Sequence, residues 1–203
     1  MQSRLQKTEA ELIASCATWL NTSLSQGIRA LFLPAGGTMR PVYAKWREEV
    51  PSALKQLELL QMDEVIEGEK NGLFQAFFRE ELPMLRVFDL GEKPFLGKSS
   101  AILGLGLNGH VAFHEPGLPL DFAFGEVNLS ETSARELGVK IGCRAKTYGL
   151  GTFLKCESLL LVVTGEKKRA VYQRLMSEDP SLPATALLTH PNLTILVDEK
   201  AAN

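Results

Sequence analysis

Three short apolar stretches that each run into glycine restrict this chain more than anything else in it. Ile28 to Leu33 leads into Pro34, Ala35, Gly36, Gly37 and Thr38; Ser100 to Gly104 leads into Leu105 and Gly106; Ser158 to Val163 leads into Thr164 and Gly165. Runs of this length without polar alternation are the mark of strands covered on both faces, as in a parallel sheet with helices on either side. Glycine at a strand's carboxyl end lets the backbone approach a ligand closely. Polar groups gathered at such ends predict a site along one sheet edge.

Helical patterns fill the intervals. Thr8 to Leu24 spaces Ala10, Ile13, Ala14, Ala17, Trp19 and Leu20 as a helix that Gly27 ends. A second pattern follows Thr38 through Tyr43 and Trp46. Leu57 to Met62 reads as a strand delivering Asp63 and Glu64 at its carboxyl end, and Phe74 to Leu82 as a helix with Phe74, Phe77 and Phe78 inward. Gly91 to Ser99 reads as a loop. Further on, the expectations are a strand over Phe122 to Leu129 and a short helix over Ser130 to Leu137 capped by Ser130. A glycine-broken stretch over Lys146 to Leu154 that turns into one helical turn, a helical turn over Pro183 to Thr189 and a last strand over Leu193 to Val197 complete the pattern. Alternating strands and helices predict an α/β architecture, doubly wound on a mainly parallel sheet, Rossmann-like, in one domain over residues 1–203.

The stretch from Ile102 to Gly117, ILGLGLNGHVAFHEPG, holds Asn108, His110, His114 and Glu115 just beyond a strand end. Such a cluster suits acid and base chemistry, although a glycine turn with solvated side chains is the alternative. Pro34 to Thr38 admits two readings: a phosphate cradle of backbone N–H groups at a helix N-terminus, or a tight turn with Thr38 as N-cap. Asp63 and Glu64 could supply a general base or merely open a solvated loop. Lys167, Lys168 and Arg169 open a helix against its dipole, which is unfavourable unless an anion lies between them.

Composition closes off other classes. With a net charge of −2 and cations scattered along the chain, no nucleic-acid surface is expected. No run of eighteen apolar residues predicts a membrane span, and the first thirty residues do not read as a signal peptide. Cys16, Cys143 and Cys156 are too far apart for a metal or redox motif and fit reduced core thiols in a cytoplasm.

Six motifs in order resemble the glucosamine-6-phosphate deaminase and isomerase family, which shares a fold with 6-phosphogluconolactonase. They are PAGGT at Pro34 to Thr38 with Tyr43, MDE at Met62 to Glu64, GLGLNGHVAFHEPG at Gly104 to Gly117, AKTYGLGT at Ala145 to Thr152, TGEKK at Thr164 to Lys168, and PATALLTHPN at Pro183 to Asn192. Glu115-Pro116 after His110, and Val65 where lactonases usually carry arginine, lean toward the deaminase branch.

The resemblance implies a cofactor-free, metal-free conversion of an amino sugar phosphate to a ketose phosphate and ammonia. The ring opens, a proton moves from C2 to C1, and an imine is hydrolysed. It implies His110 as the ring-opening acid/base assisted by Glu115, Asp63 as the C2 base, and Gly36, Gly37, Thr38 and Lys168 as the phosphate site. The implied partner is a small sugar phosphate, with subunit number open and a monomer admissible. A lactone hydrolase using His110 alone, and a weakened sugar-phosphate binder, are the alternatives.

Two departures stand out. Asn108 replaces the aspartate that deaminases carry two residues before the histidine, an amide that orients imidazole but supplies no charge. The stretches on either side of the central motif look trimmed, leaving Arg135 and Arg144 as unresolved candidates for a phosphate arginine. His114 reads as a site-wall or surface residue and His190 as structural.

Overall fold

The computed structural model describes residues 2–92 and 97–203, so residues 93–96 of the expected 91–99 loop lie outside the described residues. The strands are β1 (Gln2–Gln6), β2 (Ala30–Leu33), β3 (Glu58–Gln61), β4 (Asp63–Val65), β5 (Val87–Phe88), β6 (Ser99–Gly104), β7 (Phe124–Asn128), β8 (Arg144–Tyr148), β9 (Ser158–Val163) and β10 (Leu193–Asp198). The helices are α1 (Glu9–Ser25), α2 (Arg40–Glu48), α3 (Leu73–Glu81), α4 (Glu131–Leu137), α5 (Leu150–Phe153), α6 (Arg169–Met176) and α7 (Glu199–Ala202). Short 3₁₀ turns, among them Gly37–Met39, Glu166–Lys168 and Pro183–Thr189, join them.

Seven strands form a parallel sheet in the order β1-β10-β9-β6-β2-β3-β5. Strand order reverses between β2 and β6, and the crevice beyond their carboxyl ends is where a doubly wound sheet accepts a ligand. The two-residue period of each strand sends alternate side chains to opposite layers. Phe32, Leu103, Leu161 and Ile195 pack with α5, α6 and the 183–189 turn. Leu31, Leu33, Ile102 and Leu160 pack under α1, α2 and α3, where Leu20, Tyr43 and Phe78 are buried. Each large apolar side chain so buried contributes roughly 1.5–3 kcal/mol.

A second sheet, antiparallel and ordered β4-β8-β7, stands beside the crevice over its own small core of Val65, Val127, Ala134 and Ala145. It is tied to the large sheet where Phe32 meets the ring of Tyr148 edge-on at 4.9 Å and Tyr148 N–H donates to the Met62 carbonyl at 2.8 Å.

Several expectations change. Asp63 and Glu64 do not open a solvated loop: both are buried in β4, because β8 supplies a partner strand, with Asp63 opposite Thr147. The glycine-broken 146–154 stretch breaks at Gly149 and ends in the expected single helical turn, α5, while its first residues, Lys146 to Tyr148, belong to β8. β1, β5 and α7 had no counterpart in the apolar pattern, since β1 reads QSRLQ and β5 spans two residues. The 100–104, 158–163 and 183–189 expectations hold to within a residue, and Ser130 caps α4 as expected by accepting from Ser133 N–H at 3.2 Å.

Candidate active site

The crevice is a cleft of about 220 Å³. Its floor is the Gly104–Leu105–Gly106 backbone, one wall is Pro34 to Met39, and Asp63, Phe74, His110, Phe113, Ser133, Glu136 and Lys168 complete it. Of the residues singled out from the sequence, Asp63, His110, Gly36, Gly37, Thr38 and Lys168 therefore share one space. Asn108 and Glu115 stand behind His110 and do not line it.

The Pro34 to Thr38 wall is preset by its backbone. Gly36 caps the 3₁₀ turn at φ 112°, a conformation that L side chains rarely adopt, and no side chain caps the turn. Thr38 lies inside the turn and is not its N-cap. The leading N–H groups of a helical run have no intrahelical partner, and their potential is positive, which suits an anion. Tyr43 on α2 fixes the loop by donating its hydroxyl to the Pro34 carbonyl at 2.8 Å.

His110 is held from behind. Its Nδ1 lies 2.7 Å from Asn108 Oδ1 and 3.1 Å from Ser133 Oγ. Asn108 Nδ2 donates to Glu115 Oε2 at 2.8 Å and to Ser130 Oγ at 3.0 Å, while Ser130 N–H donates to Glu115 Oε1 at 3.2 Å. Because the Asn108 amide donates to a carboxylate, its carbonyl is the end facing the ring, so Nδ1 carries hydrogen and Nε2 is left as the basic nitrogen of neutral His110. Asn108 thus couples the ring to Glu115, whose own oxygen is 3.9 Å from Nδ1. An aspartate here would set two carboxylates against each other. Burial pushes the His110 pKa below the usual imidazole range; Glu115 and Glu136 pull it up and Lys168 pushes it down. Gly106 lets the ring sit against the backbone, since a Cβ there would overlap it.

The two adjacent acids have separate fates. Glu64 is consumed by structure: it accepts from Val65, Phe74 and Gln75 N–H groups and from Gln61 Nε2, at 2.8 to 3.0 Å, and so caps α3. Asp63 lines the cleft, and among the described residues no hydrogen bond reaches its carboxylate. Desolvation, then the neighbouring Glu64 charge, raises its pKa to about 8.

Lys168 donates to Glu136 Oε1 at 3.3 Å, and Gly165 N–H donates to the Asp198 carboxylate at 2.9 Å. The expected conflict of cations with a helix N-terminus is therefore met by the chain's own acids. Ser130, Ser133 and Glu136 were not foreseen as site residues; the α4 cap was the only signal. Arg135 pairs with Glu131, and Arg144 with Glu126 and Glu67, and neither lines the cleft. His114 neither lines the cleft nor lies on the surface: it is buried, accepting from Leu150 N–H at 3.1 Å, and His190 is structural, bonded to the Cys156 carbonyl. Among the described residues no cluster of histidine, cysteine and acids has the arrangement of a metal site, and no helix is long and apolar enough to cross a membrane.

No family model matches the chain. It is 38% identical over 109 residues to a glucosamine-6-phosphate deaminase of Staphylococcus saprophyticus, covering 50% of this chain and 45% of the relative. To the glucosamine-6-phosphate deaminase of an Exiguobacterium species it is 37% identical over 117 residues, covering 53% and 46%. The matched segments span about half the length of these relatives. Among solved structures, a monomeric glucosamine-6-phosphate deaminase superposes with a TM-score of 0.83 at 22% identity, over 100% of this chain and 99% of that one. Trypanosoma brucei 6-phosphogluconolactonase follows with 0.76 at 19% identity, over 99% and 97%. The fold is the one these two enzymes share. The expected α/β architecture is thus observed, and the sequence similarity falls on the deaminase side.

Proposed function

We propose that the chain is a glucosamine-6-phosphate deaminase/isomerase, turning an amino sugar phosphate into a ketose phosphate and ammonia without metal or organic cofactor. The observation that carries this reading is Asp63: a buried carboxyl group with no hydrogen-bond partner among the described residues, lining the same cleft as His110. Lactone hydrolysis needs one base for water. Moving a proton between carbons needs a second base in a desolvated place, where a carboxylate gains basicity. The similarity to curated deaminases supports the same branch.

In this reading, Nε2 of neutral His110 takes the anomeric hydroxyl proton and returns it to the ring oxygen as the C1–O bond breaks, giving the open aldehyde. Ionised Asp63 then removes the C2 proton and delivers it to C1, while the C1 carbonyl oxygen gains the proton that the 2-amino nitrogen loses, so that C1 becomes a CH2OH carbon. The 2-amino group becomes an imine, which water hydrolyses to the ketone and ammonia. Asn108 and Glu115 act through His110 as positioning residues. Gly36, Gly37, Thr38 and Lys168 hold the phosphate. The work takes place in one domain and, with Cys16, Cys143 and Cys156 unpaired, fits a reducing cytoplasm.

Purified protein given glucosamine 6-phosphate is expected to release ammonia and fructose 6-phosphate in equal amounts, and His110→Ala to abolish both. Hydrolysis of 6-phosphogluconolactone with no ammonia release would replace the reading with its lactonase alternative.

A further inference from the structure

Lys168 is the only lysine or arginine among the described residues lining the cleft, yet it is already paired. Its ammonium donates to Glu136 Oε1 at 3.3 Å, bridging the 166–168 turn after β9 to α4. Both side chains are partly sheltered, at 20% and 34% exposure, so water screens the pair less than it would an open surface pair. Among the described residues no second ion pair reaches Glu136, and its neighbour Arg135 is engaged with Glu131. A carboxylate lining an anion cleft opposes the ligand it is meant to admit. It also occupies the cation that ligand needs.

We infer that Glu136 is a resident stand-in for the ligand's phosphate, a specificity residue that surrenders Lys168 only to a dianionic phosphoryl group. Exchange of one carboxylate for another monoanion at Lys168 brings no electrostatic gain, whereas a dianion also draws on the leading N–H groups of the turn, those of Gly37 and Thr38, which precede the first i→i+3 bond of the 3₁₀ run. The pair thus favours phosphorylated sugars over uronic or aldonic acids of similar shape, and makes phosphate affinity lower than the cleft could otherwise reach. The inference rests on the sugar-phosphate reading above.

The test is calorimetric titration of inorganic phosphate into the whole chain, its Glu136→Gln variant, and Lys168→Met in both backgrounds, with thermal melting to verify folding. Removing one opposing charge at this separation is expected to tighten phosphate binding about five- to tenfold. That gain should disappear in the Lys168→Met background, and Glu136→Gln should also lower KM for glucosamine 6-phosphate more than it changes kcat. Equal or weaker phosphate binding by Glu136→Gln, with Lys168 still required, would leave the phosphate site standing and overturn the stand-in: Glu136 would then be holding Lys168 in position. Absence of phosphate binding by every folded variant would remove the sugar-phosphate reading itself, and this inference with it.

Discussion

The two sides of the cleft are built on opposite rules. His110 is wired into Asn108, Ser130, Ser133 and Glu115, so its orientation and tautomer are settled before any ligand arrives. Asp63 has a buried carboxyl group that the described protein leaves without a hydrogen bond, although Glu64 beside it takes four. Local networks fix direction, and withholding partners raises basicity. A shuttle that must hand a proton between two oxygens needs the first. A base for a carbon acid needs the second.

The largest effect should come from breaking the wired side. Gly106→Ala places a methyl group on the His110 ring, and turnover should fall at least about 100-fold, as expected when a reacting group is displaced by about 1 Å. Steady-state kinetics together with a normal melting curve would separate this from unfolding.

On the bare side the readout is stability. Asp63 titrates near 8 in the folded protein and, like any free aspartate, near 3.8 when unfolded. Its folded pKa is raised, so the stability linked to its protonation is complete below about pH 4 and is lost as pH rises through 8. Asp63→Asn carries no such penalty. It should melt higher than wild type at pH 9, by up to a few kcal/mol, with the advantage shrinking toward pH 5. A constant difference across pH would show that burial does not tune this group. The same shift makes kcat/KM rise with pH until Asp63 is ionised, levelling above about 8.

Asn108→Asp sharpens the contrast from the middle. The new carboxylate would face Glu115 where the amide now donates at 2.8 Å, so stability at pH 8 should drop by about 1–3 kcal/mol and turnover should not exceed that of wild type. A gain in turnover would mean that the amide marks a degraded site. The smallest effect belongs to Arg135→Ala, an exposed residue paired within its own helix. It should alter stability by less than about 0.5 kcal/mol and leave KM unchanged.

What was legible in the sequence follows the same physics. β2, β6, β9 and β10 are buried on both faces, so their apolar runs announced them, and with them the glycine loops and His110. β1 and β5 lie at the sheet's edges, where pairing with β10 and β3 defines them and composition does not. That Asp63 would be buried and Glu64 spent on capping was hidden, because it depends on β8 arriving from far along the chain and on α3 starting where Glu64 can cap it. The Asn108 substitution was visible; that its amide would join ring to carboxylate was not, because Glu115 and Ser130 meet it only in three dimensions.

The proposed role of Asp63 as the carbon base is tested most directly by ammonia release from glucosamine 6-phosphate and hydrolysis of 6-phosphogluconolactone, measured side by side for wild type and Asp63→Asn. The expected result is ammonia release by wild type that Asp63→Asn reduces at least about 1000-fold, with the variant still folded and still binding phosphate. An Asp63→Asn protein that releases ammonia at the wild-type rate, or a wild type that only opens the lactone and is indifferent to the substitution, would contradict it.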